Sequence, residues 1–64
     1  MIRRPKTRAQ LAGDSDGTVA AIVAPDRTAS DAFIKRPELT EADRREYSDA
    51  FYAAHAAARR TVRQ

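Results

Sequence analysis

The sequence predicts an α+β chain, mostly helical. A short strand or hairpin comes first, then a short helix, then a long amphipathic C-terminal helix. Three observations carry this. The run "TVAAIVA", rich in β-branched residues, lies between Gly17 and Pro25. Thr28 and Thr40 each stand three residues before an aspartate, as helix caps do. The stretch "AFYAAHAAARR" holds six alanines in eleven residues, and alanine is the best helix former.

The elements follow in order. "MIRRPKTR" reads as a basic arm in which Pro5 blocks an early helix, and the arm is taken to residue 12. Residues 13–64 form a single small domain. "GDSDG" reads as a turn, because glycine supplies positive φ and Asp and Ser bond their own backbone. The strand spans residues 18–24, with apolar side chains on both faces, so it needs cover on both sides. Residues 8–12 offer it a hairpin partner. A helix follows over 28–36, capped by Thr28 with Asp31 and stopped by Pro37. The last helix spans 41–61. Thr40 caps it, Glu41 and Asp43 fill its first turn, and Arg59, Arg60 and Arg63 complement its C-terminal dipole. Glu41 and Arg45 add an i,i+4 pair.

On a wheel of ~100° per residue, Tyr47, Phe51, Ala54, Ala58 and Val62 fall in one narrow stripe. Its first half is aromatic and its second half is alanine. Rings fill a groove, and small residues let another backbone approach, so the stripe suits docking along a partner protein. It equally suits packing on the chain's own strand and short helix. The opposite face carries Arg45, Ser48, Asp49, Tyr52, Arg59, Arg60 and Arg63. An aromatic among arginines has the chemistry for phosphates and a stacked base, or simply for water.

Composition sets limits. Of 27 hydrophobic residues, 14 are alanine, and Leu, Ile, Val and Phe number ten in 64. That is about 16%, under the rough 20% level at which a self-sufficient core becomes doubtful. We expect self-association or marginal stability. The chain has no cysteine, hence no disulfide and no thiolate chemistry. No apolar run approaches the ~18 residues of a membrane span, so the expected compartment is cytoplasmic. Ten arginines against two lysines, with many alanines, suggest a GC-rich bacterial or phage genome.

The net charge of +3 is uneven. Residues 1–8 carry +4 through Arg3, Arg4, Lys6 and Arg8, and the last six carry +3 through Arg59, Arg60 and Arg63, around an acidic middle. Basic ends permit nucleic-acid contact and are also common as solvated tails.

Nothing points to catalysis. His55 is the only histidine, and with Ser48 or Tyr52 it makes no nucleophile–base–orienter set. A lone histidine without cysteine completes no metal site. Asp14, Asp16 and Gly17 resemble a calcium-loop fragment whose later ligands are missing. Two glycines make no phosphate loop. We expect no enzyme, no cofactor and no metal.

The stretch "DGTVAAIVAPDRTASDAFI", within residues 14–34, resembles the middle of prevent-host-death-type antitoxins. The matching residues are Gly17, Val19, Ala21, Ile22, Val23, Pro25 and Phe33. The resemblance implies a glycine turn, a strand and a helix, followed by a C-terminal helix that wraps onto a toxin and blocks it. Residues 47–62 lie where that helix would be. The family's N-terminal DNA-binding part is reduced here to "MIRRPKTRAQLAG". A ribbon-helix-helix repressor fits less well, since its strand presents polar side chains to the major groove and "TVAAIVA" has almost none. The expected function is therefore a small non-enzymatic, antitoxin-like binding protein. Its partner is another protein, such as a toxin, or further copies of itself. The alternatives are a nucleic-acid-binding regulator using the basic ends, or a small structural subunit of a phage or ribonucleoprotein assembly.

Overall fold

The run "TRAQ" is a capping box. Thr7 Oγ1 accepts from the Gln10 N–H at 3.2 Å, and Gln10 Oε1 accepts from the Thr7 N–H at 3.0 Å. From this start a helix, α1 (Arg8–Val23), runs through both "GDSDG" and "TVAAIV". The computed structural model describes residues 5–62, and among them the chain is all-α. After α1 come α2 (Ala29–Phe33), a 3-10 turn (Glu41–Asp43) and α3 (Arg44–Val62).

The strand over 18–24, its hairpin partner at 8–12 and the α+β class are thus corrected to helix. The penalty for β-branched residues in a helix is only a few tenths of a kcal/mol each, so packing decides. As a strand, "TVAAIVA" needs a neighbour, and no strand exists among the described residues. As part of a helix over Arg8–Val23 it joins a buried face of Ala9, Gly13, Gly17 and Ala20, near four-residue spacing. The glycines are not turn residues, and neither has positive φ. They are where α3 comes closest. A Cβ on Gly13 would lie 2.5 Å from the Tyr47 carbonyl oxygen, and one on Gly17 would lie 2.2 Å from that of Phe51.

Pro25, with no N–H to donate, ends α1. The Ala24 N–H bonds Ala20 O at 2.8 Å, and a turn closes from Arg27 N–H to Ala24 O at 2.9 Å. Thr28 caps α2 by accepting from Asp31 N–H at 3.2 Å, as its sequence position predicts. The helix predicted over 28–36 loosens after Phe33 into i→i+3 turns, Lys35 to Ala32 and Arg36 to Phe33. At Thr40 the cap is inverted. The Asp43 carboxylate accepts from the Thr40 N–H at 2.9 Å and its hydroxyl at 3.2 Å. The helix predicted over 41–61 is the 3-10 turn and α3 combined.

Two contacts give the relative direction of the long helices. Arg8 at the start of α1 pairs with Asp43 before α3 at 3.0 Å. His55 Nε2, far along α3, bonds the Pro25 carbonyl oxygen just beyond α1 at 3.0 Å. The two helices therefore run the same way, and α2 with its flanking turns returns the chain between them. Tyr47 and Phe51 are wholly buried among Ala9, Ala20, Ala29, Ala32 and Leu39. Phe33 closes the rim edge-on to Tyr47, with ring centroids 5.4 Å apart. The small core matches the composition. Of the large aliphatics, Leu11, Val19, Ile22, Val23 and Ile34 lie exposed.

Candidate functional site

The stripe assigned to a partner divides along its length. Tyr47 and Phe51 are buried inside the chain's own core. Ala54 and Ala58 are partly buried and line an open groove against Asp14 and Thr18 of α1. The Val62 side chain lies outside the described residues. The aromatic half thus fills the space over Gly13 and Gly17, and only the alanine half faces outward.

At the edge of the core sits a partly exposed polar clamp. Asp16, between the two glycines' turns, accepts from Arg36 Nε at 2.9 Å and Nη2 at 2.7 Å, and from the Tyr47 hydroxyl at 2.5 Å. The Arg36 fork is bidentate, the strong geometry for a carboxylate. Those hydrogen bonds hold the Asp16 carboxyl below the usual carboxylate range; burial opposes them and Tyr47 adds to them. Asp16 in turn keeps the Arg36 guanidinium firmly charged. Burial first, then Asp16, push the Tyr47 phenol above the ordinary tyrosine range. With three hydrogen bonds accepted, this carboxylate is a tie between α1, α3 and the turn after α2 rather than a free base.

The clamp predicts a pH profile with two limbs. A carboxyl depressed on folding contributes stability that is present above its unfolded value, about 3.9, and lost as pH falls through the folded one. A phenol raised on folding contributes stability that is present below about pH 10 and lost as pH rises further. Asp16→Asn is expected to cost about 1–2 kcal/mol at neutral pH and to flatten the acid limb. Tyr47→Phe is expected to flatten the alkaline limb. Thermal melts across pH check this, and limbs as steep in the variants as in the parent reject the clamp. Asp43 supplies what remains of the acid limb, since the Thr40 backbone N–H, with Arg8, holds its carboxyl low.

Among the described residues, the predicted basic side chains lie apart, at the start of α1 and near the end of α3. Arg3, Arg4 and Arg63 lie outside the described residues. Lys6 is tied to Asp14, and Arg8 to Asp43. Arg59 and Arg60 are exposed near the end of α3. Tyr52 is not a free stacking platform. Its hydroxyl accepts from the Ala29 N–H at 3.2 Å, anchoring the start of α2, and its ring sits edge-on to Phe51 at 5.3 Å.

One surface was hidden by the strand reading. Leu11, Val19, Ile22 and Val23 are between 49% and 67% exposed. At 100° per residue they share an arc of roughly 120° on α1, opposite the glycine face. The signal was present in the sequence. "TRAQ" marks a helix start, and Leu11, Val19 and Ile22 then fall at helical spacing.

No protein-family model, curated protein or solved structure matches the chain. No described helix is long and apolar enough to cross a membrane.

Proposed function

We propose that the chain is a small non-enzymatic binding module that docks a partner protein on the outer face of α1. The observation that supports this is the apolar arc of Leu11, Val19, Ile22 and Val23, left in water by a chain with few such residues. Covering the half to two thirds of each side chain still exposed stabilises by about 1–2 kcal/mol apiece. An exposed apolar cluster such as Val19, Ile22 and Val23, with Leu11 further along the same face, is the kind of surface that marks interaction sites. The docking surface therefore moves from α3, whose aromatics are internal, to α1. The toxin-neutralising version is the narrower form of this reading. It loses the strand on which the antitoxin resemblance rested, because Gly17, Val19, Ala21, Ile22 and Val23 lie in α1.

The test is Ile22→Asp, a charge placed in the middle of the arc. Circular dichroism is expected to be unchanged, because the side chain is exposed. A protein that co-purifies with the tagged parent from its native cells is expected to be lost, with affinity at least tenfold weaker. Equal capture by parent and variant sinks the reading.

A further inference from the structure

The apolar arc continues into a cationic depression. Asp16, Val19, Arg27, Ala32, Lys35 and Arg36 line an open cavity of about 250 Å³ between α1 and the turn after α2. Its charges are unbalanced. Asp16 is taken up by Arg36 and Tyr47, and Arg36 also reaches Glu38 at 3.4 Å. Arg27 and Lys35 form no salt bridge among the described residues, although Arg27 stands near enough to Asp16 to help hold its carboxyl low. Val19 belongs both to the cavity wall and to the arc, and Ile22 and Val23 follow one turn later. An apolar ridge thus leads into two cations.

We propose that this composite surface takes an acidic amphipathic segment of a partner protein. Apolar side chains of the segment lie on Val19, Ile22 and Val23, and its carboxylates reach Arg27 and Lys35. This rests on α1 being the docking face and specifies the partner's chemistry. Charge argues for it against the other occupants. A second copy seated on the same patch across a two-fold axis brings two more cations and no free carboxylate from that patch, so Arg27 and Lys35 stay uncompensated. A nucleic acid leaves the ridge of three aliphatic side chains facing phosphates. A lipid surface is flat, whereas the cations here edge a concavity.

The experiment uses the full chain and two labelled 18-residue helical peptides with the same leucine stripe, one flanked by Glu and the other by Lys. Anisotropy is expected to show the Glu peptide bound at least tenfold tighter at low salt, with the gap closing as salt screens the pairs. Arg27→Glu with Lys35→Glu is expected to reverse the preference. The milder Arg27→Gln with Lys35→Gln, which sets no new carboxylate beside Asp16, is expected to abolish it. Equal binding of both peptides, lost in Ile22→Asp, overturns the acidic partner and leaves the docking face standing. Binding indifferent to Ile22→Asp overturns both. The proposal is also overturned by no Glu-peptide binding up to millimolar concentration, by tighter binding to phosphatidylglycerol vesicles than to the Glu peptide, or by a dimer in sedimentation that Ile22→Asp dissolves.

Discussion

Gly17→Ala is expected to lower stability by about 2–3 kcal/mol, although the same change on an exposed helix face raises it by about 1 kcal/mol. The sign is the test. In a free helix, alanine removes backbone entropy from the unfolded chain and stabilises. At Gly17 the added Cβ would meet the Phe51 carbonyl oxygen at 2.2 Å, its carbonyl carbon at 2.9 Å and its Cα at 3.0 Å. All three are backbone atoms, so no flexible side chain can swing away. The helices must separate, and the contacts of Phe51 separate with them. A domain of this length has a total stability of roughly 3–10 kcal/mol, so the loss is a large share. Gly13→Ala is expected to act in the same direction, since its Cβ would meet Tyr47 O at 2.5 Å and Ala50 Cβ at 2.9 Å. Ser15→Ala, on an exposed position between them, is expected to stabilise by a few tenths of a kcal/mol. Urea melts of the variants decide it. A midpoint in Gly17→Ala equal to or above that of the parent removes the close crossing.

The same glycines show why half the fold was legible and half was not. Thr28 and Thr40 begin their elements where the sequence places them, because capping is local chemistry read within four residues. The face of the last helix was equally legible, since Tyr47 and Phe51 share it by period alone. What that face presses against was not. "GDSDG" has turn composition, and only a second helix lying across it turns two glycines four apart into a packing surface. Asp16 looked like a turn residue for the same reason. Its partners, Arg36 and Tyr47, stand 20 and 31 residues away. One local signal does point to the helix: "TRAQ" sets a helix start ahead of the glycines. Read with it, Val19, Ile22 and Val23 become an outer helix face, and the exposed apolar arc comes into view with them.

Phe51→Ala is expected to abolish cooperative folding. The ring is wholly buried, and it lies 6.1 Å from Tyr47, 5.3 Å from Tyr52 and 6.0 Å from His55 between centroids. Truncating a buried phenylalanine typically costs about 3–5 kcal/mol through lost transfer energy and the cavity left behind. Among the described residues only Leu39, Tyr47 and Phe51 are large buried side chains, so little remains to collapse into the void. The expected result is a shallow thermal transition and reduced helical signal at room temperature. Phe51→Leu, which keeps most of the volume, is expected to retain a cooperative transition at lower temperature. Ala58→Leu separates this role from that of a partner anchor. Ala58 borders the open groove beside Asp14 and Thr18, where a larger side chain has room, so its melting point is expected to change little. If Phe51→Ala melts like the parent and loses only partner binding, the ring is a surface anchor. α3 then presents its aromatics outward, and the packing of Tyr47 and Phe51 over Gly13 and Gly17 does not hold.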